Sequence, residues 1–185
     1  IGIFFLIPFI YFIYKKTFTR EYNYKFLLIF ILISFQGFMG WYMVKSGLVD
    51  DVTVSHYRLS SHLFIAFIIL SSLVWIFLNH SYSINKKFFN KSGNLLSIKI
   101  FIFFIFIQII FGAFVSGLDA GKIYQTWPLM NDTFFPDDLI ITNIFDLFNL
   151  DQRSLVQFFH RNIAYFIFFL ILFIGYEINK KNLVR

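Results

Sequence analysis

The segment VSHYRLSSHLFIAFIILSSLVWIFL, residues 54–78, joins a polar stretch with two histidines and an arginine to an unbroken apolar run. That run, residues 62–78, comes near the roughly 20 residues that a helix needs to cross about 30 Å of hydrocarbon. Similar apolar blocks occupy residues 1–14, 26–44, 100–118 and 158–178. The pattern predicts an all-α fold, a polytopic transmembrane helix bundle with five spans. Because block 1–14 is short and already apolar at Ile1, we expect the sequence to start partway into a helix.

The composition supports the same class of protein. Hydrophobic residues make up 58% of the 185 residues and charged residues only 14%, and the mean hydropathy is +0.72, which is too apolar for an ordinary soluble domain. The chain has no cysteine, so disulfides, thiolate metal sites and cysteine nucleophiles are excluded. Histidine is then the natural candidate for a metal ligand.

Charge patterning predicts the orientation of the spans. Acidic residues predominate in the second and fourth connections, whereas basic residues cluster in the first and third connections and after the last span. By the positive-inside rule the basic segments face the cytoplasm, so spans 62–78 and 158–178 both begin on the outer side. The net charge of +6 then reflects topology and anionic lipid, and indicates no nucleic-acid partner. The basic residues are Lys15, Lys16, Arg20, Lys25, Lys86, Lys87, Lys91, Lys99, Lys180, Lys181 and Arg185.

This orientation brings two histidines to the same side of the membrane. His62 and His160 stand near the outer ends of the third and fifth spans. An ionisable residue at membrane depth is a candidate functional group, although an imidazole at the interface also serves by bonding water or headgroups. His56 precedes His62 by six residues, about 600° of helical rotation, so it belongs on another face; we expect it in a loop or at the interface. His80 is expected on the solvated surface.

The two helices that run the other way share a second pattern. Gln36 and Gly40, like Gln108 and Gly112, form Q-x-x-x-G in the outer half of a span, and S-G-L follows in both cases. Small residues let helices or a flat ligand approach closely, and a glutamine in hydrocarbon requires a hydrogen-bonding partner. Gln36, Gly40, Gln108 and Gly112 are therefore candidates for the lining of a ligand pocket, with helix packing as the alternative for the glycines.

Two arginines accompany the histidines. Arg58 lies four residues before His62, and Arg161 directly follows His160. Arginine anchors span ends at the headgroups, and it also makes bidentate contacts with carboxylates. Imidazole with a nearby arginine suits haem, whose iron takes a neutral histidine and whose propionates pair with cations. Arg58 and Arg161 are thus candidate propionate partners.

The sequence resembles a known family, haem A synthase of the alphaproteobacterial and mitochondrial type. The resemblance rests on QGFMGWYMVKSGL, SHYRLSSHL, GAFVSGLDAGKIYQTWPLM and VQFFHRNIAY, which occur in order and interleave with the spans. It covers essentially the whole chain. The family has eight transmembrane helices in two repeated four-helix halves, each with a pair of outer histidines.

The resemblance implies a domain organisation. Residues 1–80 would be the remainder of the first half, 81–99 a cytoplasmic linker, and 100–185 the beginning of the second half, with an outer loop at 119–157. Five spans where the family has eight lead us to interpret the chain as an interior fragment, incomplete for activity.

The resemblance also implies a ligand set. His62 resembles the fourth-helix histidine of the first half, which ligates the substrate haem, and His160 the sixth-helix histidine of the second half, which ligates haem B. The histidine partner of His62 and the glutamate implicated in catalysis are expected upstream of Ile1, and the partner of His160 beyond Arg185. No catalytic residue is therefore predicted within residues 1–185.

A reaction follows from the same resemblance. Haem A synthase oxidises a ring methyl of haem O to a formyl group, through successive hydroxylation and loss of water, and gives haem A for cytochrome oxidase. The expected setting is a multi-pass protein of the cell inner membrane with its histidine ends on the periplasmic side. Expected partners are the lipid bilayer, haem O synthase, cytochrome oxidase assembly factors, an electron donor and further copies of the chain.

Other interpretations remain open on the residues alone. A cytochrome b electron carrier also holds haem between histidines of a helical bundle, and a transporter without cofactor would use the histidines as a proton or ion path. In the outer loop, Asp119 and Trp127 lie in a segment that either covers a haem edge or is anchored at the interface by Trp127. Residues 138–150, DLIITNIFDLFNL, are predicted as a short helix on the membrane surface.

Overall fold

The computed structural model describes residues 2–47, 54–82 and 96–183. The regular elements within these ranges are helices, and the β structure there is limited to an isolated bridge between Met130 and Thr133. Four helices are long and apolar enough to cross a membrane, and a fifth, at the start of the chain, is shorter. The prediction of a multi-pass helical membrane protein is confirmed. The helices are α1 Gly2–Tyr14, α2 Arg20–Gly47, α3 His56–Ser81, α4 Leu96–Gly117 and α5 Arg153–Leu183.

The first predicted span differs from the other four. Block 1–14 was predicted to begin at Ile1, but Ile1 lies outside the described residues and α1 begins at Gly2. The 13 residues of α1 cover about 20 Å at 1.5 Å per residue, which is less than the hydrocarbon thickness. Helix α1 is therefore an apolar helix too short to count as a span by length.

Most of the helices extend beyond the apolar blocks that were predicted from the sequence. Helix α2 begins at Arg20 where the apolar pattern begins at residue 26, and its first turns carry an exposed ion pair of 2.7 Å between Glu21 and Lys25, one turn apart. A pair at this spacing supports a helix in water. Hydropathy marks only the part of a helix that lies in hydrocarbon, so the boundaries predicted from it were too short.

Large apolar side chains face outward along the four long helices. Phe77 of α3 and Phe169 of α5 each expose about two thirds of their surface, at 66% and 67%. In water such exposure would be unfavourable. On helices of this length it is the surface that a membrane protein presents to lipid, because the backbone polar groups are already paired within the helix.

The described residues form two compact units. The first contains α1, α2 and α3 from residue 61 onward. Its core is a cluster of Ile29 from α2 with Ile69 and Ile76 from α3, flanked by partly buried residues of all three helices. Ile69 and Ile76 are seven residues apart on α3, which is about two helical turns and puts both on one face for packing.

The second unit contains residues 55–60 of α3 together with α4, α5 and the loop between them. The first turn of α3 packs tightly on the end of α4. A Cβ on Gly117 would lie 2.8 Å from the His56 Cβ and 2.9 Å from its Cα, and buried Ser60 donates a hydrogen bond of 3.4 Å to the Ile110 carbonyl of α4. Glycine is required at 117 because the facing contact is with backbone, which cannot move aside.

The loop between α4 and α5 folds back onto the first turns of α5. It contains short 3-10 segments at Ala120–Lys122 and Ile144–Phe148, the latter capped reciprocally by Asn143 and Asp146. Within the predicted short helix at 138–150, only the five residues Ile144–Phe148 are helical. Residues 153–157, expected in the loop, are helical, and residues 154–157 are buried. Tyr124 and Asp138 of the loop are hydrogen-bonded to this turn, at Gln157 and Ser154.

Part of the predicted linker lies outside the described residues. Of residues 81–99, the structure describes 81–82 and 96–99, and it places 81 in α3 and 96–99 in α4. The basic residues Lys86, Lys87 and Lys91 and the acidic residues Asp50 and Asp51 also lie outside the described ranges. The domain boundaries stay predictions.

We expect Gly117→Ala to destabilise the second unit. The new methyl would overlap the His56 backbone, and overpacking of this kind costs about 1–3 kcal/mol. The measurement is the apparent melting temperature of the purified protein in detergent at a fixed scan rate. Gly175→Ala is the control, since nothing lies within 4 Å of a Cβ there; equal melting temperatures for the two variants would contradict the close approach.

Candidate functional site

In the first unit, a histidine of α3 faces a glutamine and a glycine of α2. The Gln36 Nε2 lies 3.1 Å from the His62 Nε2 and donates to the His62 carbonyl at 2.9 Å. One turn further along α2, a Cβ on Gly40 would lie 3.1 Å from the imidazole Cε1. The Q-x-x-x-G pattern therefore places an amide and a bare backbone against two neighbouring atoms of one imidazole ring, Nε2 and Cε1.

The second unit repeats this arrangement with a histidine of α5 and residues of α4. The Gln108 Nε2 lies 3.3 Å from the His160 Nε2. A Cβ on Gly112 would lie 3.3 Å from the His160 Cε1. All six residues were predicted as site residues, and the structure brings them together as two equivalent trios, Gln36–Gly40–His62 and Gln108–Gly112–His160.

Both trios leave the same polar atoms without a hydrogen bond. The unsatisfied buried atoms include the Nδ1 of His62 and of His160 and the Oε1 of Gln36 and of Gln108. Buried polar atoms are normally paired, and an unpaired one is unfavourable. The coincidence of four such atoms in two matching places is the pattern expected of a ligand site rather than of a packed helix interface.

The residues present fit haem. Within the described ranges, no group of three or more His, Cys, Asp or Glu side chains is close enough to hold a metal ion. Iron in a porphyrin takes four ligands from the macrocycle and needs only an axial imidazole or two from the protein. One histidine in each unit meets that requirement, and the facing glycine lets the imidazole lie close to the backbone of the neighbouring helix.

The residues expected upstream of Ile1 have no counterpart among the described side chains. The catalytic glutamate and the histidine partner of His62 were placed there by the resemblance, and the described chain begins one residue later, at Gly2. Helix α1 consists of glycine, proline, apolar and aromatic residues, so it offers neither a carboxylate nor an imidazole. The upstream pair stays a prediction, and no catalytic residue is assigned within the described ranges.

The two arginines occupy different surroundings. Arg58 is half-buried on α3, four residues before His62. Arg161 on α5 donates through its two Nη atoms to three loop carbonyls, those of Tyr124 at 2.6 Å, Thr126 at 2.9 Å and Leu129 at 3.3 Å. Arg161 thus holds the loop. The propionate role of both arginines stays a prediction.

Gln157 and Tyr124 also hold the loop on α5, and sequence reasoning missed both. Arg161, Gln157 and Tyr124 are called the clamp below. Gln157 lies one turn before Arg161 on α5; its Nε2 donates to the Tyr124 carbonyl at 2.9 Å, and its Oε1 accepts from the Tyr124 N–H at 3.3 Å. Tyr124 and Gln157 are both almost fully buried. The Q-x-x-x-R spacing in VQFFHR is a signal that Gln157 and Arg161 share a helix face. The clamp fixes the loop next to His160.

The Tyr124 hydroxyl lies against two adjacent carboxylates. It donates toward Asp137 Oδ1 at 2.7 Å and Asp138 Oδ1 at 2.5 Å, and Ser154 of α5 donates to Asp138. Burial, together with these acceptors, raises the pKa of the Tyr124 phenol well above its ordinary value. The bond from Tyr124 lowers the pKa of the Asp137 carboxyl, so both side chains hold this contact at neutral pH.

The other two histidines stand outside the trios. His56 was expected in a loop or at the interface, but it is the first residue of α3, where its ring packs edge-on against Phe114 and its Nε2 lies 3.2 Å from Asp151 Oδ1. The tight packing on Gly117 explains why the helix starts there. His80 is near the end of α3, where its ring touches the rings of Phe18 and Tyr22.

Asp119 and Trp127 are both part of the folded loop. Asp119 pairs with Lys122 at 2.7 Å, which lowers the pKa of the Asp119 carboxyl. Trp127 exposes 75% of its surface, as an interfacial anchor would. Covering of a haem edge by this loop stays a prediction.

We expect Arg161→Ala to loosen the loop. Hydrogen bonds from a charged group contribute about 1.5–3 kcal/mol each, so the free energy of local opening of residues 124–130 should fall by at least that amount. Hydrogen exchange followed by mass spectrometry measures it. The control is Lys122→Ala, which removes an exposed ion pair worth at most about 1 kcal/mol; equal protection in the two variants would exclude the clamp.

The Tyr124–Asp137 contact makes loop stability depend on pH. Because the pKa of Asp137 is lowered in the folded protein, its stabilisation is complete above the ordinary carboxyl pKa of about 3.9 and is lost as pH falls through the lowered value. Protection factors of residues 118–152 should therefore decrease below about pH 4. Tyr124→Phe should reduce this decrease; a decrease of the same size in the variant would show that Tyr124 is not its source.

Comparison with known proteins agrees with this architecture. The sequence matches the COX15-CtaA family model, described as "Cytochrome oxidase assembly protein", over residues 1–183. No solved structure matches the chain.

Curated relatives share about two fifths of their residues with this chain. It is 42% identical to "Heme A synthase" of Pelagibacter ubique (strain HTCC1062) over 183 residues, 98% of this chain and 53% of that protein. It is 44% identical to "Heme A synthase" of Flavobacterium psychrophilum over 186 residues, 99% of this chain and 54% of that protein. The chain spans about half the length of these relatives. It is a member of the COX15-CtaA family of cytochrome oxidase assembly proteins.

Proposed function

We propose that the intact protein is a haem A synthase, which oxidises the ring methyl of haem O to a formyl group. The observation that carries this proposal is the repeated trio of histidine, glutamine and glycine, one in each unit. The relatives named heme A synthase at about 40% identity support it. The enzyme would be an oxidoreductase whose product, haem A, goes to cytochrome oxidase.

The two trios are assigned different haems in this proposal. His160 would hold a haem B and His62 the substrate haem O, in keeping with the positions that these histidines match in the family. A bound haem B supplies electron transfer, because its iron changes oxidation state while it remains ligated. Two haem sites in one protein suit a reaction that removes electrons from a substrate and passes them on.

The side chains of this chain bind and orient in that scheme. The imidazoles would offer nitrogens to the iron, while Gly40 and Gly112 let the rings lie close to the backbone of the facing helix. Arg161 and Gln157 hold the loop against α5 near His160 in the sequence. Arg58 and Arg161 are the candidate partners for the propionates.

The proposal includes a place in the cell and a set of partners. Basic residues in the first connection and after the last span favour a cytoplasmic location for those segments. The trios would then lie toward the outer, periplasmic side of the cell inner membrane. The proposed partners are haem O synthase, cytochrome oxidase assembly factors, an electron donor and further copies of the chain in a homo-oligomer.

An electron carrier of the cytochrome b class is the second candidate, favoured by the same imidazoles. The two are separated by pigment extraction from cells that make haem O and express the intact protein. Haem A in the extract supports the synthase. A haem-loaded protein with no haem A would leave the carrier, and a colourless protein would exclude both.

We expect His160→Ala and His62→Ala each to remove one haem from the intact protein. Loss of the axial imidazole removes the bond between iron and protein. Haem content per polypeptide and the Soret band after washing are the measurements. His80→Ala is the matched control, since His80 lies near the other end of α3 from His62 and contacts aromatic rings; unchanged spectra in both site variants would refute the ligand assignment.

A further inference from the structure

The side-chain amide of Gln36 is held between two acceptors of the same histidine. Its Nε2 lies 2.9 Å from the His62 carbonyl oxygen, which can only accept a hydrogen bond, so the amide nitrogen must face α3. The same Nε2 lies 3.1 Å from the His62 Nε2. The bond to the carbonyl therefore anchors the amide directly beside the imidazole nitrogen.

This contact uses the lone pair that a metal would need. An amide nitrogen donates two hydrogens and accepts none, so the hydrogen bond at 3.1 Å requires the lone pair of the imidazole Nε2. In the neutral ring the proton is then on Nδ1, and Nε2 is the nitrogen that can bind a metal. One lone pair cannot accept from the amide and bind iron at the same time. Donation by Gln36 to the ring and binding of iron at His62 therefore exclude each other.

The glutamine that faces the other histidine is held less firmly. The Gln108 Nε2 lies 3.3 Å from the His160 Nε2, and among the described residues this amide has no second bond to a carbonyl. A side chain with one contact can turn away when that contact is replaced, whereas the second bond of Gln36 keeps its amide in place. The competition for the imidazole nitrogen is therefore stronger at His62 than at His160.

We propose that Gln36 is an internal competitor for the His62 nitrogen, which weakens the binding of haem at this site and keeps it exchangeable. The inference rests on the proposed function, in which His62 holds the substrate haem and His160 a haem that stays bound. A substrate site must release its product in every turnover, and release limits the rate of many enzymes. Gln36 favours release by returning to the nitrogen at the site where release is needed.

The test is a titration of the intact protein with haemin, ferric haem B, followed by the Soret band. It is carried out in the His160→Ala background, where only the His62 site is expected to bind. Gln36→Ala should bind haemin about two- to tenfold more tightly than this parent, because a hydrogen bond of ordinary net strength is no longer lost on binding. A residue that only supports packing would give a loss of affinity or no change, so the gain is specific to competition.

A second variant keeps the side-chain volume. Gln36→Leu cannot donate a hydrogen bond but still fills the space beside α3, so it should also bind haemin more tightly than the parent. Ser34→Ala, an exposed position of α2 with a hydrogen bond to its own helix, is the control and should bind as the parent does. If neither Gln36 variant binds haemin more tightly than Ser34→Ala, the inference is overturned.

The matching substitution in the other trio tests the difference between the two sites. Gln108→Ala, titrated in the His62→Ala background, should increase the affinity for haemin by less than Gln36→Ala does. An equal or larger increase would show that competition is not a property of the substrate site. The proposed function fails separately, since it is overturned if the wild-type protein binds no haemin, whereas the inference alone is overturned if haemin binds with an affinity that Gln36 does not affect.

Discussion

The contact between an imidazole ring and a bare glycine of the facing helix is the constraint on which the two sites depend. At Gly40 and at Gly112 a single added carbon would come within 3.3 Å of the imidazole Cε1. Any other residue would push the histidine away from the glutamine one turn earlier, at 36 or 108. Helix spacing, ring position and amide contact are therefore set together, since a glutamine and a glycine four residues apart share a face.

The structure assigns the polar residues at the beginning of α5 to two tasks. His160 turns toward α4 and joins the trio, whereas Gln157 and Arg161, on another face of the helix, hold the loop through the Tyr124 backbone. A guanidinium beside a candidate haem ligand suggested carboxylate binding. The structure shows that it also donates to three backbone carbonyls of the loop.

Sequence reasoning predicted the site more completely than the helix ends. The histidines and the Q-x-x-x-G positions could be predicted, because polar and small residues are few in an apolar run and each needs a structural reason. The starts of α2 at Arg20 and of α5 at Arg153 were not accessible, since helix continues past the hydrocarbon and there depends on ion pairs and on burial under a loop. Hydropathy carries no signal for either.

The sequence by itself determined a multi-pass helical membrane protein and the residue types of its two sites, because the periodicity and apolarity of a span are local properties. Only the tertiary structure decided which side chains meet. Three contacts join segments that are far apart in sequence. Gln36 contacts the ring and the carbonyl of His62, His56 packs on Gly117, and Arg161 donates to loop carbonyls. Such contacts depend on how the helices pack, which one sequence read along its length does not specify.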